Sequence, residues 1–361
     1  MMSSNLPFFS IIIPCCDVEP YVRECLDSVL NQPFTGWECI IGIETSKDKT
    51  EEIVHEYETK DPRFRAFTGP RSGSCSASRN TGIDMATGEY VIFLDGDDTI
   101  TEDSLQRLHD KIASRPEADI YPCAMLVHND MTNKDEPIRD NYPVDFNGEL
   151  TGPEATVMVY RYHQNPCPML QLSVFRREFL LANDLKCIHG LRRQDSEFSP
   201  RALYLAKRVI PLHEPFYRYR IQSASVGSAA RGAGYFHRDW AVILRSLLAF
   251  HAKVSVEPDF NTQISQHWAR QWIQLIFFFW FFPKNIDKIP RALRVETLEL
   301  LFANGFNDFN LLITAMPQKT KRVLAWWMRQ FIRHPSMRTF SEWFFKCYFF
   351  LAGFRRKEEK A

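Results

Sequence analysis

The first 128 residues alternate short apolar runs with amphipathic segments, and this alternation constrains the fold more than any other feature of the chain. Apolar runs at 8–13, 38–43 and 89–94 have the length and composition of buried strands. Between these runs, apolar side chains recur at helical spacing over 18–30, and a capped helix is predicted at 101–115. Strands that alternate with helices form a parallel sheet with helices on both faces. The pattern therefore predicts a doubly wound α/β domain.

The later segments are less regular. Further strands are expected at 63–67 and 118–127, and the polar, Pro/Asn/Asp-rich stretch 129–150 is typical of a loop or linker. Beyond residue 232 the pattern is helical and rich in aromatic side chains. We therefore predict three regions: a nucleotide-sugar-binding half over 1–128, an acceptor-binding half over 129–231 and a helical extension over 232–361.

Composition excludes several classes of protein. The 44 basic and 44 acidic residues balance, which argues against a nucleic-acid-binding protein. The nine cysteines are scattered without a CxxC pair, so they indicate a reduced, cytoplasmic protein and no thiolate zinc site. The longest apolar run, 273–282, is about half as long as a membrane-spanning helix requires and is ended by Pro283.

The sequence FLDGDD at 93–98 places three carboxylates directly after a predicted buried strand. Ligands of open α/β sheets bind beyond the carboxyl ends of the strands, where Asp95, Asp97 and Asp98 are expected to lie. Closely spaced carboxylates without nearby His or thiolate side chains suit a hard cation such as Mg²⁺ or Mn²⁺, which leaves positions for phosphate oxygens. The residues alone leave two interpretations: a cation site for a nucleotide diphosphate, or a solvated acidic turn that caps the next helix.

The order of several short motifs adds a family resemblance. Residues 8–125 resemble the nucleotide-binding half of the family 2 glycosyltransferases, which are inverting enzymes with the GT-A fold. The resemblance lies in the turn from Pro14 to Asp17, the helix ECLDSVLNQ, the SRN-x-G segment from Ser78 to Gly82, and DGDD. A weaker match follows at RRQDSEF and in HEPFYRYRIQSASVGS. The resemblance implies a GT-A sheet, Rossmann-like and mixed, that binds a nucleotide-diphosphate sugar.

The resemblance also implies roles for individual residues. By analogy with the family, Asp95 hydrogen-bonds the ribose and helps to orient a Mn²⁺ or Mg²⁺ ion, and Asp97 ligates that ion. Arg79 either approaches the nucleotide or braces the carboxylates, and bracing is the favoured interpretation. The residues implied in binding the nucleotide sugar, with a UDP-sugar favoured, are Pro14, Cys15, Asp17, Glu44, Arg79, Asp95 and Gly96.

Two positions depart from the family pattern on the nucleotide side. Ile43 and Glu44 stand where the family has two aspartates, the second of which pairs with the base; Glu44 is still expected to accept that hydrogen bond through a longer side chain. Cys15 and Cys16 replace a branched aliphatic residue and a tyrosine, and the favoured interpretation is that these small thiols pack at the strand end.

The resemblance places the catalytic base at Asp195. Inverting transfer requires a carboxylate that removes the proton of the acceptor hydroxyl. The family supplies it from an acidic motif at the start of a helix, which matches Gln194-Asp195-Ser196-Glu197-Phe198, with Gln194 replacing a glutamate. Glu197 is the rival base, and since it points to another helix face, only one of the two carboxylates faces the cleft. An acidic helix cap is the structural alternative.

The aromatic and basic C-terminal third leaves its environment open. Trp326, Trp343 and Arg329 belong to a pattern that suits either a helix at the inner face of the cell membrane or a bundle packed on the catalytic domain or in a homodimer. The function implied is transfer of a sugar to a glycan or lipid-linked acceptor in bacterial surface polysaccharide biosynthesis. The alternative is a non-catalytic protein that retains the fold and only binds a nucleotide sugar or glycan.

Overall fold

The computed structural model describes residues 6–162 and 169–221, together with scattered positions between 239 and 254. The chain divides into two compact units, Met1–Ala229 and Ala230–Ala361, and the described sheets belong to the first. The aromatic segments expected in the C-terminal third lie outside the described residues, and the domain boundaries after residues 128 and 231 stay predictions. Within the described part, no helix is both long and apolar enough to cross a membrane.

Ten strands and seven helices are formed by the described residues. The strands are β1 (Phe9–Cys15), β2 (Trp37–Glu44), β3 (Phe64–Gly69), β4 (Tyr90–Phe93), β5 (Thr99–Ile100), β6 (Ile120–Pro122), β7 (Ala124–Asn129), β8 (Lys134–Arg139), β9 (Ser173–Arg176) and β10 (Pro215–Ile221). The helices are α1 (Glu19–Leu30), α2 (Thr50–Lys60), α3 (Ser76–Met85), α4 (Ser104–Ala113), α5 (Gly152–Tyr162), α6 (Arg177–Ala182) and α7 (Asp195–Leu205), with a 3-10 turn over Leu170–Leu172.

The larger sheet has the order β3-β2-β1-β4-β9-β6. Strands β1, β2, β3 and β4 pair in parallel, whereas β9 runs antiparallel to both of its neighbours. Along β1, Ile11 and Ile13 enter the core formed with α1, α2 and α4, and Ile12 enters the core on the opposite face with α3 and α7. Side chains that alternate between two buried faces make a doubly wound sheet, so the predicted mixed α/β fold is confirmed.

The smaller sheet corrects two expectations. The single strand expected at 118–127 is divided: β6 belongs to the larger sheet, and β7 belongs to a second sheet of order β5-β10-β7-β8. The chain changes sheets at Cys123, whose N–H bonds the carbonyl of Leu172, while the next N–H bonds that of Glu214. The polar stretch 129–150, expected to be a loop, contributes β8 because it pairs with β7 as a hairpin. Local composition does not reveal which strands pair with one another.

Two glycines allow α3 to lie close against the larger sheet. A Cβ atom on Gly42 of β2 would lie 2.6 Å from the Cβ of Ser78, and one on Gly82 of α3 would lie 2.4 Å from Ile12 Cγ2. Such distances are too short for carbon atoms, so a larger residue would push the helix outward. The close contact places Arg79 of α3 beside Asp95, just beyond the end of β4.

Candidate active site

The turn after β4 is held by one buried arginine. Asp95 is half-buried, and its Oδ1 accepts an ion-paired hydrogen bond from Arg79, which is only 2% exposed. Its Oδ2 accepts a 2.7 Å hydrogen bond from Gln171 Nε2. Burial disfavours the charge of Arg79, but the adjacent Asp95 carboxylate raises its pKa above the usual range. Arg79 thus has the geometry of a brace that keeps a permanent cation behind Asp95.

Asp98 points inward and anchors the turn to the second sheet. Its carboxylate accepts hydrogen bonds from the hydroxyl of Tyr217 and, at 2.8 Å, from the backbone N–H of Arg220, both on β10. The Arg220 side chain also donates to the Asp97 carbonyl at 3.1 Å and pairs with Glu24. Burial, together with the neighbouring Asp97 and Asp95, raises the pKa of Asp98 well above that of an ordinary aspartate. Arg220 therefore links β10 both to the turn after β4 and to Glu24 of α1.

Loss of the Tyr217 hydroxyl is expected to loosen this anchor. In Tyr217→Phe, the buried Asp98 carboxyl loses a partner, which should lower the free energy of unfolding by about 1–3 kcal/mol and weaken binding of UDP with Mn²⁺. Tyr57→Phe is the matched control, because it removes a 2.6 Å tyrosine–aspartate hydrogen bond between α2 and Asp27 of α1. Urea denaturation measures the loss of stability in each variant, and isothermal titration calorimetry measures its affinity for UDP with Mn²⁺. If Tyr217→Phe bound UDP as tightly as Tyr57→Phe and the wild type do, the role of Tyr217 would be contradicted.

The carboxylates on the accessible side of the turn are Asp95 and Asp97, which are both half-buried. Within residues 6–162 and 169–221, no three His, Cys, Asp or Glu side chains are grouped as a metal cage. Mg²⁺ and Mn²⁺ at phosphate sites commonly take one or two carboxylates and complete their coordination with phosphate oxygens and water. Asp95 and Asp97 therefore fit a cation whose ligands come partly from the protein and partly from a bound diphosphate. They do not fit a cation held by protein side chains alone.

The ends of β1 and β4 meet tightly at Gly96. A Cβ atom there would lie 2.9 Å from the Sγ of buried Cys15 and 3.1 Å from the carbonyl oxygen of Pro14, so the turn requires a glycine. Asp17 follows in the left-handed region at φ 52° and accepts a 2.7 Å hydrogen bond from the N–H of Lys47. This bond, together with the ion pair to Arg71, lowers the pKa of Asp17. The predicted residues of β1 thus line the same sheet edge as Asp95.

Glu44 is engaged in a different contact from the one expected. Its Oε1 accepts a 2.6 Å hydrogen bond from the hydroxyl of Ser72, and its Oε2 accepts one of 3.0 Å from the Ser72 N–H. The side chain is 5% exposed. The N–H of Ser74 donates to the Ser72 hydroxyl oxygen at 3.3 Å, so Glu44 fixes the loop that leads into α3. Pairing of Glu44 with a nucleotide base stays a prediction. It requires a carboxylate oxygen of Glu44 to accept a hydrogen bond from the base in addition to the one from Ser72.

The structure separates the two carboxylates proposed as base. Glu197 is fully buried, and both of its oxygens accept hydrogen bonds from Arg201 one turn along α7, at 2.6 and 2.8 Å. Asp195 is half-buried at the first position of the helix. Burial raises the pKa of Asp195, while the nearby Arg79 opposes the rise and Asp95 adds to it. Asp195 is thus close enough to interact electrostatically with both Asp95 and Arg79, although it lies at least 100 positions from either of them in sequence.

Comparison with known proteins identifies the family. The family model described as glycosyl transferase family 2 matches residues 10–182. A candidate teichuronic acid biosynthesis glycosyltransferase of Bacillus subtilis, TuaG, is 30% identical over 62% of this chain and 94% of its own length. The chain belongs to glycosyl transferase family 2. This membership confirms the resemblance described from the sequence and the expected class of transferase enzymes.

Two further comparisons support the family and its fold. The uncharacterised glycosyltransferase EpsJ of Bacillus subtilis is 32% identical over 60% of this chain, and the match spans only 61% of EpsJ. The structure of TarS residues 1–349 from S. aureus in complex with UDP superposes with a TM-score of 0.64 at 20% identity, covering 88% of this chain and 85% of that one. This likeness is one of fold, and it covers more of the chain than the segment matched by the family model.

Three contacts of this family 2 site could not be assigned from sequence. Gln171, Tyr217 and Arg220 hold Asp95 and Asp98 but lie 76 to 122 residues away in the chain. The only available signal was the tyrosine and arginine pattern of PFYRYRI, whose alternate residues face the same side of a strand. These residues show that the second sheet supports the acidic turn.

Proposed function

We propose that this chain transfers a sugar, with inversion, from a UDP-sugar to a glycan or lipid-linked acceptor in cell-surface polysaccharide biosynthesis. The observation that carries the proposal is that Asp195, at the start of α7, lies close enough to the Arg79–Asp95 ion pair to interact electrostatically with both residues. Two carboxylate functions, one for the donor and one for the acceptor, are what an inverting transfer requires. The names of TuaG and the TarS complexes with UDP and UDP-GlcNAc support the process and the donor class.

On the donor side of the proposed reaction, each aspartate of the turn after β4 has one task. Asp97 would hold a Mn²⁺ or Mg²⁺ ion with the help of Asp95, while Asp98 keeps the turn in place through β10. When bound, such an ion neutralises the charge that develops on the departing diphosphate. Arg79 and Gln171 hold the Asp95 carboxylate in place, because each of its two oxygens accepts a hydrogen bond from one of these side chains.

On the acceptor side of the proposed reaction, Asp195 takes part in the proton transfer. Its carboxylate would take the proton of the attacking hydroxyl, and the hydroxyl oxygen then bonds the anomeric carbon as the bond to the diphosphate breaks. A pKa raised by burial makes Asp195 a stronger base than an exposed aspartate. Glu197 instead stays with Arg201 and stabilises α7.

The nucleotide and its sugar are best tested by a ligand panel. We expect UDP-sugars, with UDP-GlcNAc as the first probe, to raise the melting temperature in the presence of Mn²⁺ more than GDP- and dTDP-sugars do, because a ligand stabilises the state that binds it. Release of UDP from the stabilising sugar then measures turnover. Stabilisation by GDP-sugars alone would contradict the proposed donor, and stabilisation without any turnover or transfer would favour the non-catalytic alternative.

A further inference from the structure

The loop between α6 and α7 is fastened to α3 by the side chain of Asn80. Its Nδ2 donates a 2.8 Å hydrogen bond to the carbonyl of Cys187, and its Oδ1 accepts a 2.8 Å hydrogen bond from the N–H of the same residue. A side-chain amide thus satisfies both backbone groups of a residue that is 107 positions away. Cys187 itself is only 3% exposed, so its backbone would lack partners if Asn80 were removed.

Two other contacts hold the same loop. The N–H of Gly190 donates a 3.0 Å hydrogen bond to the Oγ of Ser76 at the start of α3. Arg201 of α7 donates a 2.8 Å hydrogen bond to the carbonyl of Lys186, the residue before Cys187. The loop therefore lies between two helices, and it continues directly into the first turn of α7, where Asp195 stands.

Helix α3 consequently serves both halves of the site. Two consecutive residues of α3 have different partners. Arg79 pairs with Asp95 on the donor side, and Asn80 hydrogen-bonds the loop that leads to Asp195. The helix cannot shift easily, because Gly42 and Gly82 let it pack directly on the sheet. Helix α3 thus contacts both the turn that contains Asp95 and the loop that leads to Asp195, so its fixed position determines the distance between these two carboxylates.

We propose that Asn80 is a positioning residue for Asp195, fixing the loop that determines where the first turn of α7 begins. This inference rests on the proposed function, in which Asp195 is the base. The body of α7 is secured independently, because Phe198 and Ala202 are fully buried in the core. Loss of Asn80 should therefore leave the helix folded and displace only its first turn, and a displacement of about 1 Å at a reacting group can cost roughly 100-fold in rate.

The first test is the division between kcat and KM in Asn80→Ala. With UDP-GlcNAc and Mn²⁺ as the probe, kcat for UDP release should fall by at least about tenfold while KM for the donor changes by less than about threefold, because Asn80 contacts the base loop and not the donor turn. Asn80→Asp keeps the acceptor for the Cys187 N–H but sets a second acceptor against its carbonyl oxygen, so a loss of kcat comparable to that of Asn80→Ala is expected. This second variant preserves the size of the side chain if the alanine variant does not fold.

Ser10→Ala is the matched structural control. The buried Ser10 hydroxyl bonds Glu38 Oε1 at 2.7 Å and accepts from the Gly88 N–H at 2.8 Å, at the opposite end of β1 from the site. This variant also removes a long-range buried contact, so it should lower the melting temperature without changing kcat. If it lowered kcat as much as Asn80→Ala does, the effect of Asn80 would be merely structural.

A double-mutant cycle decides whether Asn80 acts through Asp195. In an Asp195→Asn background, Asn80→Ala or Asn80→Asp should produce no further loss of kcat, because the group that it positions is already absent. The same fold-loss in both backgrounds, or an unchanged kcat in the single variants, would overturn the proposal. The proposed function fails separately, through absence of turnover in the wild type or full turnover in Asp195→Asn.

Discussion

Asp195→Asn should lower kcat for UDP release from UDP-GlcNAc by about 10²–10⁴-fold, the usual contribution of a general base. The amide cannot take a proton from the acceptor hydroxyl or from the water that replaces it. Binding of UDP with Mn²⁺ should change by less than about threefold, because Asp195 acts on the acceptor and the diphosphate is held by the acidic turn. Isothermal titration and steady-state kinetics on the same preparation separate these effects.

Glu197→Gln is the control for Asp195→Asn. Both changes neutralise a carboxylate in the first turn of α7, but Glu197 is fully buried and forms an ion pair with Arg201. We expect this variant to unfold at a lower denaturant concentration and to lose far less kcat than Asp195→Asn, because Arg201 can still donate to the Lys186 carbonyl in the loop before α7. A severe loss of kcat in Glu197→Gln together with normal turnover in Asp195→Asn would exchange the two roles.

The pH dependence gives an independent check on Asp195. A base acts in its deprotonated form, so kcat should fall as the pH is lowered through the pKa of this group. Since burial raises that pKa, the fall should begin at a higher pH than for an ordinary aspartate. The residual activity of Asp195→Asn should lose this limb of the profile, and a wild-type profile that is flat down to the ordinary aspartate range would argue against the assignment.

The sequence carries the local part of this structure. Strands β1, β2 and β4 are short apolar runs that need no distant partner to be recognised, and they place Asp95 and Asp97 after a central strand. Because parallel strands end at one edge, the approximate location of the candidate site follows from the pattern. The division into β6 and β7 does not follow, since it depends on pairing with β9 and β10 far along the chain.

The supporting contacts were hidden for the same reason. Gln171 and Tyr217 are ordinary polar residues in the sequence, and the SRN-x-G motif does not indicate what Asn80 bonds. Their roles arise only when the fold brings each to a partner 76 to 119 positions away. Glu44 illustrates the converse, because a position expected to face the nucleotide is bonded to Ser72 in a neighbouring loop. Motif spacing therefore indicates which residues gather, whereas the hydrogen-bond partners that orient them require the three-dimensional structure.

Asp97→Ala should abolish the Mn²⁺ dependence of UDP binding, so that the Kd measured with Mn²⁺ rises at least about tenfold toward the value measured in EDTA. Asp97 is half-buried, and the turn keeps its anchor through Asp98, so stability should change little. Asp95→Asn is the informative comparison: it leaves the buried Arg79 without its carboxylate and should cost about 3–5 kcal/mol of stability as well as UDP affinity. Retention of Mn²⁺-dependent binding in Asp97→Ala would remove this residue from the cation site.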